Sequence, residues 1–268
     1  MAIKLIVFDL DGTLFDTRAD IVNAVNRARA SYGLPALDFD RVVAMVGNGV
    51  QVLAERVFRD SPIVPEAARE RIMEFYGDEA ANTAQLYPGV AETLPRLQAR
   101  LAVVSNKPTE LVHSLLKRNG LDSLFEYVAG GDTFERLKPD PMALHFIMER
   151  FQTAANEILV VGDHSPDIEM AHAAGAFSVY CNYGFFGKDR VGADVSIDSF
   201  PELLEVVGRI EAGAVKQGGR KAAASSAAER TSPGGDRSFN RGGRRRQDER
   251  GHHPERHRHP QGKGRRQP

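Results

Sequence analysis

The 268-residue sequence predicts an α/β fold, a doubly wound parallel sheet with an inserted all-helical segment. Short apolar runs alternate with helical patterns from residue 86 onward, as in βα units that build a parallel sheet. Leu5-Ile6-Val7-Phe8 stands apart at the N-terminus and reads as a further buried strand. Between the two, apolar residues recur at helical spacing and nothing alternates with period 2.

Each element has its own signal. The first strand runs straight into Asp9-Leu10-Asp11-Gly12-Thr13. Charge at the end of a buried strand is costly unless it is paired or bound to metal, and the C-terminal ends of such strands are where ligands bind. Four helical faces follow: Ile21, Val25, Ala28 and Tyr32 after Asp20; Val42, Val43 and Val46 after Asp40; Val50, Leu53, Ala54, Val57 and Phe58; then Ile72, Met73, Phe75 and Tyr76. The spacing next predicts a helix over 90–99, a strand over 101–104, a helix over 110–119 stopped by Gly120 and a strand over 127–129. A helix over 141–151, a strand over 158–161, a helix over 167–174 stopped by Gly175 and a strand over 177–180 complete the pattern. The expected organisation is a core of residues 1–15 and 85–212, a helical lid of residues 16–84, and a tail of residues 213–268.

The net charge of −1 conceals a division. Residues 213–268 hold 15 Lys and Arg against 5 Asp and Glu, which leaves 20 against 31 for residues 1–212. An acidic body thus carries a basic tail. The tail is poor in large apolar side chains and is expected to be disordered, because it cannot offset its ordering entropy. Arg244-Arg245-Arg246 could attract polyanions, but with Phe239 as the one aromatic there is no stacking platform for nucleic acid. The lone Cys181 excludes an intramolecular disulfide and a multi-cysteine zinc site. No apolar run approaches the roughly 18 residues of a membrane span, and the N-terminus lacks a signal-peptide pattern. A soluble cytoplasmic protein, monomer or homodimer, is expected.

Four polar clusters each follow an apolar run: Asp9, Asp11 and Thr13; Ser105-Asn106-Lys107; Lys138-Pro139-Asp140-Pro141; and Gly162-Asp163-His164-Ser165-Pro166-Asp167. A parallel sheet would gather these strand ends at one edge. The collected hard oxygen ligands suit Mg²⁺, and Ser105 and Lys138 offer donors to a phosphate. Taken singly, each cluster has an ordinary reading. The Asp pair could be a turn or N-cap, Ser105-Asn106 a loop, Lys138 a solvated surface lysine, and Gly47-Asn48-Gly49 a tight turn between helices. Lys107 could steer an anion or simply be solvated.

Asp9-Leu10-Asp11-Gly12-Thr13-Leu14, Ser105-Asn106, Lys138-Pro139 and Gly162-Asp163 with Asp167 resemble, in order, the four signature motifs of the haloacid dehalogenase superfamily. The resemblance spans roughly residues 1–210 and implies a Rossmann-like core with a C1-type helical cap. Val46-Gly47-Asn48-Gly49, Tyr87-Pro88-Gly89-Val90, Ser105-Asn106-Lys107-Pro108, Gly130-Gly131-Asp132 and Asn182-Tyr183-Gly184 are most similar to bacterial phosphoglycolate phosphatases. The resemblance implies phosphoryl transfer with Asp9 as nucleophile and Asp11 as general acid and base. It implies Mg²⁺ at Asp9, the Asp11 carbonyl, Asp163 and Asp167. Ser105, the Asn106 backbone and Lys138 would hold the phosphoryl oxygens, and Gly12 would let the backbone approach them. Thr13 and the loop Gly47-Asn48-Gly49 would meet the substrate, a small phosphorylated metabolite. His164 departs from the family pattern, standing where many relatives carry Ser or Thr. The same core motifs also serve phosphatases for sugar phosphates or pyrophosphate and phosphosugar mutases. A non-catalytic protein binding nucleic acid through the tail is the reading from another class.

Overall fold

The computed structural model describes residues 1–79, 83–187 and 192–218, all within one compact unit. Its frame is a six-stranded sheet of order β5-β4-β1-β6-β7-β8, with every neighbouring pair parallel. The strands are β1 (Leu5–Phe8), β4 (Arg100–Val104), β5 (Tyr127–Ala129), β6 (Ile158–Gly162), β7 (Phe177–Cys181) and β8 (Val195–Ile197). β1 lies between β4 and β6, with Phe8 in register with Val103 and Val161. The residues leaving β1, β4 and β6 therefore emerge side by side at one edge. β1 and β6 are buried along their whole length, which explains their unbroken apolar runs.

Helices α1 (Arg18–Ser31), α2 (Phe39–Val43), α3 (Val50–Val57) and α4 (Pro65–Glu79) follow β1. They enclose an apolar cluster of their own, built on Ile21, Val25, Val42, Leu53, Val57, Phe58 and Ile72, and Leu111 of α6 (Thr109–Arg118) joins it. This segment is flanked by a two-stranded antiparallel ribbon of β2 (Phe15–Asp16) and β3 (Gln85–Leu86). Sequence pattern missed the ribbon because two residues are too few to show alternation.

Along the rest of the chain run α5 (Val90–Thr93), α7 (Met142–Phe151), α8 (Ser165–Ala174) and α9 (Leu203–Glu211). The helix expected over 90–99 is shorter: regular α-helix ends at Thr93 and a 3-10 turn over Leu94–Arg96 follows. Pro95 accounts for this, since its ring and missing N–H cannot continue the helix interior. β8 and α9 are additions to the predicted pattern, and Leu203, Val206 and Ile210 of α9 are buried on the sheet. The ordered chain continues past Gly213. Val215 packs on the core, and the Gln217 side chain donates to the carbonyl of Gly175 at 2.6 Å. The remainder of the expected tail, from residue 219, lies outside the described residues. No described helix is long and apolar enough to cross a membrane.

The two faces of the sheet carry separate cores. One holds Ile6, Phe8, Val103, Leu159, Val161 and Phe200, and the other Leu5, Val7, Ala102, Val160, Leu144 and Ile147. Phe8 centres the first, packed edge-on against Phe125 at 6.3 Å and tilted against Phe200 at 5.9 Å. Truncating it to Ala leaves a cavity beside the strand that leads into Asp9. Phe8→Ala should lose about 3–5 kcal/mol of stability, read as a lower denaturation midpoint with an unchanged slope in a urea titration.

Candidate active site

β1 and β6 deliver Asp9 and Asp163 to the same edge, and the first turn of α8 adds Asp167. Asp9 keeps 11% side-chain exposure, while Asp163 and Asp167 are buried. One oxygen from each lies within 4.8 Å of the others. Against them stands the ammonium of Lys138, 2.8 Å from Asp9 Oδ1 and 2.7 Å from Asp167 Oδ1. Lys138 also donates to the carbonyl of Val104 at 2.9 Å and is buried, so it is no surface lysine. The carboxylates therefore outnumber the ammonium they share.

The electrostatic consequence follows directly. Burial above all, then Asp167 and Asp11, pushes the Asp9 carboxyl up to about 6, although Lys138 pulls it down. Burial and the charges of Asp9 and Asp167 push Asp163 well above the usual carboxylate range, against the N–H of Phe185 and Lys138. Burial pulls the Lys138 ammonium down, but Asp167 and Asp9 outweigh it and hold the group above its ordinary value. The donor set is hard oxygen, short of positive charge and closely grouped, which fits a divalent cation such as Mg²⁺.

Close packing fixes Asp163. The Phe185 N–H donates to its Oδ2 at 2.7 Å, and Thr13 Oγ1 donates to its Oδ1 at 3.4 Å. Gly12, at φ +81°, passes so near that an added Cβ would lie 2.1 Å from Asp163 Oδ2. Only glycine meets both demands. The backbone approach expected of Gly12 is thus an approach to Asp163. Thr13 sits fully buried behind the same carboxylate, which its hydroxyl supports, and is not among the residues that line the pocket.

Asp11 faces different partners, although it is two residues from Asp9. Lys107 Nζ donates to its Oδ1 at 2.9 Å and Oδ2 at 3.1 Å, and Thr17 Oγ1 donates to Oδ1 at 2.6 Å. Lys107 donates as well to the hydroxyl of Tyr76 on α4. Lys107 is buried, which rules out its solvated reading. The Asp11 carboxylate is not part of the three-carboxylate group.

Asp9, Asp11, Ser105, Asn106, Lys107, Asp163 and His164 line one pocket, which α1, α3 and α4 close with Ile21, Val50, Leu53, Ile72, Met73 and Tyr76. Gly47 and Gly49 also line it, whereas Asn48, Lys138 and Asp167 do not. Asn106 acts here through its side chain. Nδ2 donates to the carbonyls of Gly47 at 2.9 Å and Lys138 at 3.2 Å, and Oδ1 accepts from the Lys138 N–H at 3.0 Å. A Cβ on Gly47, at φ +106°, would strike the His164 ring at 2.4 Å. The glycine loop is therefore one of the contacts between the helical segment and the strand-end loops. His164 stacks on Phe186, with centroids 4.0 Å apart.

Tyr76, Thr17 and Phe185 hydrogen-bond to the candidate site residues, which sequence reasoning does not reveal. Tyr76 reads in the sequence as part of an apolar helix face, and its polar tip is the available signal. Thr17, six residues after Asp11, gave none.

A family model described as haloacid dehalogenase-like hydrolase matches residues 6–181. The phosphoglycolate phosphatase of Vibrio cholerae is 40% identical over 220 residues, covering 77% of this chain and 97% of the relative. That of Aliivibrio fischeri is 38% identical over 219 residues, covering 76% and 96%. Among solved structures, a crystal structure from Haemophilus somnus described as a predicted phosphoglycolate phosphatase is similar at a TM-score of 0.72 and 32% identity, covering 76% of this chain and 97% of that one.

The charge imbalance has a measurable cost. A carboxyl whose pKa is raised on folding penalises the folded state once the pH exceeds its unfolded value, near 3.8 for Asp163. In metal-free buffer, Asp163→Asn should therefore melt at a higher temperature than the wild type at pH 7. The gain should vanish on acidification to about pH 4. Equal melting temperatures at both pH values would show that the carboxylate carries no such penalty.

Proposed function

The chain belongs to the haloacid dehalogenase-like hydrolase family, and from that premise we propose that it is a Mg²⁺-dependent phosphatase converting 2-phosphoglycolate to glycolate and phosphate. One observation carries the mechanism. Asp9 and Asp11 open on the same pocket, yet each is held by a different lysine. Two carboxylates in separate environments can do separate work.

In the first step an Asp9 oxygen attacks phosphorus, the bond from phosphorus to the substrate alcohol breaks, and Asp11 passes a proton to the departing oxygen. In the second, water attacks the aspartyl-phosphate, Asp11 takes its proton, and the bond between Asp9 and phosphorus breaks to release phosphate. Asp9, Asp163, Asp167 and the Asp11 carbonyl would hold Mg²⁺, which when bound offsets repulsion between the phosphate and the Asp9 carboxylate. Ser105 lines the pocket beside Asp9 and would donate to the phosphoryl oxygens. Lys138, shared between Asp9 and Asp167, would offset part of their charge rather than reach the phosphoryl oxygens itself.

Helices α1–α4 serve as a C1-type cap over this edge. Their separate apolar cluster supports that reading, as does the hydrogen bond from Asn106 to Gly47. Their apolar residues in the pocket would exclude water from the reacting groups. The relatives named phosphoglycolate phosphatase support the substrate assignment.

A turnover screen with Mg²⁺ on 2-phosphoglycolate, sugar phosphates and pyrophosphate tests the proposal. Phosphoglycolate should give the highest kcat/KM, EDTA should abolish turnover and Mg²⁺ restore it. Asp9→Asn should lose at least about 1,000-fold in kcat. A stronger preference for another phosphate would replace the substrate and keep the chemistry, whereas full activity of Asp9→Asn would remove the nucleophile.

A further inference from the structure

We propose that Lys107 is a positioning residue for Asp11, and that Tyr76 makes its hold depend on helix α4. The inference rests on the hydrolase reading above. A lysine ammonium has three N–H donors. Here its contacts are Asp11 Oδ1, Asp11 Oδ2 and the Tyr76 hydroxyl, which commits all of them. The Lys107 side chain is 3% exposed and that of Asp11 16%, so the pair is not a solvated surface bridge. Thr17 grips Oδ1 from the start of α1. The carboxylate is thus fixed through both oxygens, and neither rotation nor withdrawal is free.

The three segments involved are distant in the chain. Asp11 follows β1, Lys107 follows β4, and Tyr76 lies on α4. A proton donor must meet the departing oxygen at hydrogen-bond distance, and an ångström of misplacement can cost on the order of 100-fold. Lys107 supplies that placement from the rigid sheet. Tyr76 links the same ammonium to the helices that close the pocket, so the grip on Asp11 is complete when α4 is seated as here. The competing role for Lys107 is to anchor the carboxylate of the substrate. The comparison of leaving groups separates that role from positioning, because a substrate anchor acts on KM and a positioned proton donor on the alkyl ester alone.

The test compares two leaving groups. An alkoxide needs a proton as it departs, whereas p-nitrophenolate does not, and kcat/KM reports the steps up to that departure. The substrates are p-nitrophenyl phosphate and 2-phosphoglycolate, or whichever alkyl phosphate the screen selects. Lys107→Met should lose about 100-fold in kcat/KM on the alkyl ester and less than about 5-fold on the aryl ester. Tyr76→Phe should show the same pattern at about 10-fold. Adding Lys107→Met to Asp11→Asn should cost nothing further on the alkyl ester. Retained aryl-ester turnover shows that each variant has folded, and Tyr76→Phe carries the test should Lys107→Met fail to fold. Equal losses on both esters would overturn the proposal, as would a raised KM for the alkyl ester at unchanged kcat, which marks a substrate anchor. A wild-type chain inactive toward both esters would overturn the hydrolase reading and this role together.

Discussion

Lys138 brings one positive charge into a space where Asp9, Asp163 and Asp167 converge, and the site depends on that shortfall. Charges this deeply buried interact far more strongly than charges in water. Packing cannot relieve their repulsion, because Gly12 and the Phe185 N–H hold Asp163 where it is. The parallel register of β1 and β6 sets Asp9 and Asp163 beside one another before any side chain is chosen. Such an arrangement is costly in the folded chain and suited to a divalent cation, which supplies the positive charge that the protein alone lacks. Binding sites often carry strain of this kind.

The second ammonium sets the two aspartates apart. Asp9 and Asp11 are near neighbours in the chain, and identical side chains in a common environment would compete for one role. Lys138 approaches from the loop before α7 and takes Asp9; Lys107 approaches from the loop after β4 and takes Asp11. Burial pulls the Lys107 ammonium down, but Asp11 and Tyr76 outweigh it and hold the group above its ordinary value. Both lysines are thereby kept charged by the carboxylates they hold, and the two aspartates sit in different electrostatic surroundings on one pocket wall.

How much of this was legible in the sequence depended on the kind of signal. Buried parallel strands announce themselves as apolar runs, so β1, β4, β6 and β7 could be read almost to the residue. Polar residues at the ends of those runs could be assigned to one edge, which located Asp9, Ser105, Lys138 and Asp163. The partners of those residues could not be read. Whether Lys107 pointed to solvent or to Asp11 depended on α4 arriving over it with Tyr76, a tertiary event with no local pattern. Thr13 followed the motif in sequence but turned away from the pocket, because in a turn the chain direction does not fix which side chain faces the ligand. The ribbon of β2 and β3 was invisible for the simpler reason that two-residue strands have no period.

The glycine loop joins these observations. Gly47 and Gly49 were conspicuous in the sequence because glycine marks unusual backbone, and the loop does reach the pocket. What requires glycine there is backbone at positive φ, +106° at Gly47 and +86° at Gly49, and at Gly47 also the His164 ring, which leaves no room for a Cβ. His164 immediately follows Asp163, and Asn106 binds both Gly47 and Lys138. The loop between α2 and α3 is thus seated on the same short segments that carry the charges. A displacement of those helices would reach the carboxylates along two routes, through Gly47 to Asn106 and Lys138, and through Tyr76 to Lys107. One route ends on the side of Asp9 and the other at Asp11. The seating of those helices and the placement of the two aspartates are thus coupled through shared contacts.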